Sequence, residues 1–326
     1  MRFGVIGTNF ISKTFMEGAL NVEGIEVVAV CSGRYENAES FAREYGIPTV
    51  CRRYEQMAED MIVDAVYVAV PNALHYEISQ YFLEHKIPVF LEKPMCSNAR
   101  EARALVELAR EKNTYLHHGI IPLYNPNLKV LKEKLPLIGR IHNAMFIFSQ
   151  YSSRFDAYLR NENPTTFRRE LSNGSIMDLG VYPLSIIIAL FGRPTSITAH
   201  ANLLETEVDA SFQAILGYDG FSVLVASSKA SDTKLISEIS GEKGILQITR
   251  CGKLDEVIYT PRKMESMHFV FDKHAFIIQL EDFVTAVNEK RVEPTVSHEL
   301  NITLMEVLDE IRRQCGVVYL ADSKEV

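Results

Sequence analysis

The sequence contains no tryptophan and only five cysteines, and no two of these cysteines form a Cys-x-x-Cys pair. Scattered cysteines in odd number argue against both a disulfide framework and a structural zinc site. We therefore expect no metal ligands and a reducing, cytoplasmic location. We also find no apolar run of the roughly 18 to 20 residues that a membrane span needs, so no membrane partner is expected. The cysteines are Cys31, Cys51, Cys96, Cys251 and Cys315.

Positive charge is also in short supply, with 34 Lys and Arg against 42 Asp and Glu and a net charge of -8. Nucleic-acid binding depends on clustered basic residues, so nucleic acid is not an expected partner. The 326 residues, 47% hydrophobic and 23% charged, are typical of a globular protein. At about 150 residues per domain, this length predicts two domains.

The order of hydrophobic segments predicts two different architectures. Strands and helices alternate up to residue 119, which indicates an α/β Rossmann domain with a doubly wound parallel sheet over 1–119. Long alternating strands follow, over 141–151, 196–204, 210–217, 222–229 and 235–240. They predict an α+β C-terminal domain over 120–326 with an open, mostly antiparallel sheet. An uncovered sheet face favours a homodimer or homotetramer formed through this sheet.

The first strand runs into a turn that resembles a phosphate-binding loop. Of the dinucleotide pattern G-x-G-x-x-G only Gly7 is present, with Asn9 in the second place and Ser12 in the third. Asn tolerates positive φ, and we expect Asn9 to preserve the turn in that way. Cofactor contacts are predicted for Gly7, Thr8, Asn9, Phe10 and Ile11. The alternative is an ordinary strand-to-helix turn.

Later strand ends carry further polar residues. The second strand is not followed by the acid that NAD-selective proteins use; Ser32 and Arg34 instead favour NADP over NAD. Alternatively, Arg34 lies on the adenine or in solvent. After the third long strand, Val70, Pro71, Asn72 and His75 are placed to contact the ribose or the nicotinamide phosphate. His75 alternatively starts a helix and bonds to the backbone.

Two groups of residues are candidates for the chemistry. Glu92 and Lys93 end a buried strand, where desolvation lowers the pKa of a lysine; alternatively they simply pair with each other. Asp178 and Tyr182, four residues apart, share a face if the segment is helical, and Pro183 should kink that helix. The alternative is that Asp178 caps a helix and Tyr182 packs beneath the sheet.

Together these motifs resemble the Gfo/Idh/MocA family of NAD(P)-dependent oxidoreductases over essentially the whole chain. The matching segments are 4–8, 68–72 with His75, 92–94, and 178–183 after Gly174. The resemblance implies reversible hydride transfer between NADP or NAD and a hydroxyl or carbonyl carbon of a sugar, polyol or dihydrodiol. Tyrosine at 182 is similar to the dihydrodiol dehydrogenase and glucose-fructose oxidoreductase types.

The resemblance also implies roles for individual residues. Lys93 corresponds to the active-site lysine and lowers the pKa of Tyr182, the proton donor or acceptor, while Asp178 orients Lys93 or a substrate hydroxyl. Substrate contacts are expected from these three and from His118, Tyr124 and Arg168. Residues 118–126 depart from the family pattern. The rival functions are a non-catalytic regulator that binds NAD(P) and sugar, and an NAD-dependent glycosidase-like member of the family.

Overall fold

The computed structural model describes residues 1–324. The chain divides into two compact units. Among these residues, the first unit comprises 1–119 and 273–302, and the second comprises 120–272 and 303–324. None of the five cysteines is in a disulfide.

The first unit is built on a six-stranded sheet in the order β3-β2-β1-β4-β5-β6, with every neighbouring pair parallel. Its strands are β1 (Arg2–Ile6), β2 (Glu26–Cys31), β3 (Thr49–Cys51), β4 (Ala65–Val68), β5 (Val89–Glu92) and β6 (Leu116–Gly119). β4, β5 and β6 are buried along their whole length, as strands covered by helices on both faces require. The prediction of a doubly wound parallel sheet is confirmed.

The helices that connect these strands are α1 (Phe10–Ala19), α2 (Tyr35–Tyr45), α3 (Gln56–Glu59), α4 (His75–Glu84) and α5 (Ala99–Lys112). α5 shows why such segments are helical. Asn98 caps its start by accepting a hydrogen bond from the Glu101 N–H at 3.0 Å, and Leu105 and Val106 lie on its buried face. Asn113, in the left-handed conformation, ends the helix.

The second unit contains an eight-stranded sheet in the order β14-β13-β12-β11-β7-β10-β9-β8. Only the β7–β10 pair is parallel, which confirms the predicted mostly antiparallel sheet. Its helices are α6 (Ile121–Tyr124), α7 (Asn127–Lys134), α8 (Ser153–Leu159) and α9 (Val181–Phe191). Its strands are β7 (Ile141–Ser149), β8 (Ser196–Leu203), β9 (Asp209–Tyr218), β10 (Phe221–Ser228), β11 (Ser237–Gly241), β12 (Gly244–Ile248), β13 (Glu256–Pro261) and β14 (Met267–Val270).

One segment of the second unit, Arg169–Phe191, is long and apolar enough to cross a membrane by length and composition. This corrects the expectation that no segment reaches that length. Of its most apolar window, 72% is buried inside the protein, and its α9 portion packs on β7. Such burial is typical of the core helix of a globular domain.

After β14 the chain returns to the first unit with α10 (Ala275–Asn288), and α11 (His298–Cys315) follows. The sequence assigned residues 273–302 to the second domain. The structure groups them with the first unit, because Phe276, Leu280 and Phe283 enter the same hydrophobic cluster as Phe3 and Phe15. The periodicity of α10 predicts a buried face but not the sheet on which that face packs.

This shared core allows a test of whether α10 belongs to the core of the first unit. Replacing fully buried Phe276 with alanine should lower the free energy of unfolding by about 3–5 kcal/mol, because it leaves a cavity among packed rings. The control Leu20→Ala, at a residue that is 74% exposed, should change it by less than about 0.5 kcal/mol. Urea denaturation measures both. Equal losses in the two variants would show that Phe276 is not part of the core.

Candidate active site

The turn after β1 requires glycine at its first position. Gly7 has φ +102°, and a Cβ there would lie 2.0 Å from the carbonyl oxygen of Ala69. The Gly7 N–H donates to the carbonyl of Cys31 at 2.9 Å, which fixes the turn against β2. No side chain fits between these strand ends, so the backbone itself forms the surface that leads into α1.

Asn9 does not adopt the positive φ that we expected. It is extended, with φ -85°, and caps α1 by accepting from the Ser12 N–H at 3.2 Å. Its amide also donates to the Ala69 carbonyl at 3.0 Å. The start of α1 therefore lies at the carboxyl edge of the sheet, where helix N–H groups favour an anion. Phe10 is 82% exposed beside it, and Ile11 is half-buried.

A cavity of about 340 Å³ lies at the ends of β1, β2 and β4. The hydroxyl of Ser32 is 3.0 Å from that of Thr8, and Arg34 is exposed just before α2. Arg52, which no sequence motif indicated, has its guanidinium 4.1 Å from the centre of the Tyr35 ring. Residues that line the cavity include Cys31, Ser32, Arg52, Glu55, Val70 and Glu77. Arg52 directly follows β3, so the rule that ligands bind at strand carboxyl ends would have found it.

His75 lies in the interior of the first unit. Its ring nitrogens are 2.8 Å from the Pro94 carbonyl and 2.9 Å from the Val70 carbonyl, so it bridges the turns after β4 and β5. Burial lowers the pKa of His75 to about 4, and a neutral ring donates to only one of these carbonyls. Asn72, also buried, begins the short turn between Pro71 and His75.

The end of β5 carries the candidate lysine. Glu92 is buried and accepts from the Tyr67 hydroxyl at 2.8 Å and from the Lys93 backbone N–H at 3.1 Å. The Lys93 side chain is half-buried, and the Lys93–Pro94 peptide bond is cis. Its positive charge adds to the depression of the pKa of both His75 and His118. The ammonium therefore acts electrostatically on two buried imidazoles of its own unit.

His118 is at the end of β6 and is fixed by a residue that sequence reasoning missed. Its Nδ1 is 2.9 Å from the side-chain oxygen of Asn301, so Nδ1 carries the proton and Nε2 the lone pair. Burial lowers the pKa of His118 to about 4, which keeps the ring neutral at pH 7. Asn301 lies more than 180 residues away in α11, so only the fold reveals this partner.

In the second unit, Asp178 lies in a π-helical turn (Ile176–Gly180) that leads directly into α9. One of its partners is Lys229, which the sequence motifs did not indicate, and the two side chains form an ion pair. Tyr182 is half-buried, with its ring edge-to-face against Phe148 at 5.6 Å. Pro183 lies in the first turn of α9, directly after the π-helical turn, where proline is tolerated.

A buried carboxylate holds the start of this helical segment. Asp209 accepts from the Ile176 N–H at 2.7 Å, and a Cβ on Gly174 would lie 2.2 Å from its other oxygen. Gly174 has φ +134°, so only glycine fits. Burial raises the pKa of Asp209 to about 6, against the backbone hydrogen bonds that lower it.

The remaining predicted substrate residues have ordinary surroundings in the second unit. Arg168 pairs with Glu170 at 2.8 Å, and Tyr124 is buried at the end of α6. Within residues 1–324, no group of three His, Cys, Asp or Glu side chains is arranged to hold a metal ion. The turn at Gly7, the start of α1 and the cavity beside Ser32 fit the phosphates and ribose of a dinucleotide.

Comparisons with known proteins agree with this geometry. Residues 1–120 match the model of the oxidoreductase family with an NAD-binding Rossmann fold, and residues 137–247 match the GFO/IDH/MocA C-terminal domain. The crystal structure of the 3-ketoreductase KijD10 from Actinomadura kijaniata, in complex with NADP and TDP-benzene, has a TM-score of 0.86. The alignment covers 97% of this chain and 98% of that chain, at 22% identity.

Two relatives are similar over 99% of both chains. The oxidoreductase YgjR of Escherichia coli K12 is 40% identical, and the scyllo-inositol 2-dehydrogenase (NADP(+)) IolU of Bacillus subtilis is 35% identical. These names agree with an enzyme and give no support to a non-catalytic regulator. The chain belongs to the Gfo/Idh/MocA family of NAD(P)-dependent oxidoreductases, as its motifs predicted.

Proposed function

We propose that the enzyme transfers a hydride between NADP and a hydroxyl or carbonyl carbon of a sugar, polyol or dihydrodiol. The observation that carries this proposal is the carboxyl edge of the parallel sheet, where the Gly7 turn, Ser32 and Lys93 follow β1, β2 and β5. A cyclic polyol is the first substrate class to test, because the relative that is 35% identical is named as a scyllo-inositol dehydrogenase.

Residues 1–119 would form the cofactor-binding domain and residues 120–326 the substrate-binding domain, although residues 273–302 of the latter belong to the first compact unit. Gly7 to Ile11 would bind the diphosphate, and Ser32, Arg34 and Arg52 would bind a 2′-phosphate, since two guanidinium groups and a hydroxyl suit that anion. Nicotinamide-side contacts would come from Val70, Pro71, Asn72, His75, Glu92 and Lys93. When bound, the nicotinamide supplies the two-electron redox chemistry.

The chain's own residues would move the proton. Tyr182 would donate a proton to, or accept one from, the reacting oxygen, and the ammonium of Lys93 would favour its phenolate form. Asp178 would orient a substrate hydroxyl. Alternatively, Asp178 would orient Lys93. His118, Tyr124 and Arg168 would contribute further polar contacts to the substrate.

We also propose that the enzyme is a cytoplasmic homodimer or homotetramer formed through the outer face of the eight-stranded sheet. Ile215, Leu224 and Met145 lie side by side in one cross-strand row on that face. Ile215 is 51% exposed, whereas its strand neighbours Ala214 and Leu216 are buried on the opposite face. Apolar side chains in such a row favour cover by a second copy.

Tyr182→Phe tests the proton-transfer role. The variant should lose about 10²- to 10⁴-fold in kcat, because loss of a positioned acid-base group costs that much. NADPH binding, followed by nicotinamide fluorescence, should be unchanged. The control Tyr151→Phe, which removes a hydroxyl that donates to Asp156 on the surface, should keep normal turnover. Near-normal turnover of scyllo-inositol by Tyr182→Phe would contradict the role.

Arg34→Ala and Arg52→Ala test the preference for NADP. Each should raise KM for NADPH by about 10-fold or more and leave KM for NADH nearly unchanged, because a charge-assisted contact to the 2′-phosphate is lost. Arg43→Ala, which removes an exposed arginine from the last turn of α2, serves as the control. If both cofactors are affected equally, these arginines do not read the 2′-phosphate.

Ile215→Arg tests the assembly. A buried arginine at a self-complementary face would be unpaired, so the variant should shift to a monomer in sedimentation-equilibrium experiments at micromolar concentration. Met264→Arg, at a residue that is 65% exposed in the turn after β13, is the control and should keep the wild-type mass. A wild-type chain that is already monomeric, or an Ile215→Arg variant with unchanged mass, would exclude this face.

A further inference from the structure

Lys229 is a buried lysine that directly follows β10. Its exposure is 5%, and lysine is almost never buried to that extent without a partner. The backbone holds it on both sides: its N–H donates to the Ala210 carbonyl and its carbonyl accepts from the Ser152 N–H, each at 2.8 Å. The residue is therefore fixed against β9 and against the connection that follows β7.

Successive side chains of β10 and of the residue after it point to opposite faces, and this alternation directs the Lys229 side chain toward the helical segment that carries Asp178. Ser227 and Lys229 are two residues apart and lie on the same face of the strand. The Ser227 hydroxyl is 2.7 Å from that of Ser175, and the Lys229 ammonium pairs with the Asp178 carboxylate. Two successive inward residues of one strand thus contact two positions, three residues apart, of the Asp178 segment.

The burial of this pair is unequal. The Lys229 side chain is 6% exposed and that of Asp178 is 32% exposed. A half-exposed carboxylate is solvated without a partner, whereas a buried ammonium is costly without one. The same ammonium also lowers the pKa of buried Asp209, in opposition to burial. The Lys229 ammonium therefore interacts with two carboxylates. Asp209 holds the start of the Asp178 segment, and Asp178 is a candidate catalytic residue of that segment.

We propose that Lys229 is a positioning residue that acts through Asp178: it holds the Asp178 carboxylate in one orientation beside Tyr182 and balances its charge. Without this ammonium, the Asp178 carboxylate would disfavour the phenolate form of Tyr182 more strongly and would have one fewer contact to fix its rotamer. The catalytic part of this inference depends on the proposed function. The ion pair and its unequal burial do not.

A double-mutant cycle of Lys229→Met, Asp178→Asn and the double variant tests the inference, with scyllo-inositol and NADP⁺ as the assayed pair. Lys229→Met should lower kcat about 10- to 100-fold, the loss expected for a charge-assisted contact, with KM for NADP⁺ unchanged. In the Asp178→Asn background the same change should cost less than about twofold, because the carboxylate on which Lys229 acts is gone. The control Lys234→Met removes an exposed lysine and should leave kcat unchanged.

Urea unfolding of the unliganded variants supplies a readout that needs no substrate. Asp178→Asn should lower the midpoint more than Lys229→Met does, since it leaves the buried ammonium without the Asp178 carboxylate, and the double variant should recover part of that loss. Full kcat in Lys229→Met, or equal losses of kcat with and without Asp178, would overturn the positioning role. Additive midpoint shifts would overturn the pair itself. If wild type does not oxidise scyllo-inositol, the proposed substrate fails, and the midpoints alone decide whether the pair exists.

Discussion

The parallel pairing of β1 with both β2 and β4 is the constraint on which the cofactor half depends. Parallel strands bring their carboxyl ends to one edge, and the strand order reverses between β1 and β4, so the loops there diverge and leave room for a ligand. Gly7, Ser32 and Lys93 are far apart in sequence, and each follows a strand of this sheet. Their common position is a consequence of hydrophobic strands paired in register rather than of contacts between them.

In the second unit, buried polar and charged side chains hold the segment that carries Asp178 in place. The Asp178 segment is poor in helix formers and is preceded by Gly174 at a positive φ, so local preference does not hold it. Asp209 caps its start, Ser227 contacts Ser175, and Lys229 pairs with Asp178. These contacts fix the geometry of the segment, but burying the charged groups costs free energy. Such a cost is expected where function overrides packing.

Sequence reasoning succeeded where the signal is local. Buried apolar runs predicted the six parallel strands, and alternation predicted the antiparallel sheet, because both patterns lie within a few residues. It failed where a partner is distant: Asn301 for His118, Lys229 for Asp178, and α10 for the first core. It also misjudged Asn9, whose side chain caps α1 while its backbone stays extended. Helix capping and positive φ are both properties of asparagine, and the sequence does not decide between them.

The proposed convergence of Lys93, Asp178 and Tyr182 is tested most directly by a crystal structure of the enzyme with NADPH bound. The distance to measure is that between Lys93 Nζ and the Tyr182 hydroxyl oxygen. The proposed mechanism predicts a separation within about 6 Å beside the nicotinamide ring, the range over which an ammonium stabilises a phenolate. A separation beyond about 10 Å, where screening in water removes the interaction, would contradict it.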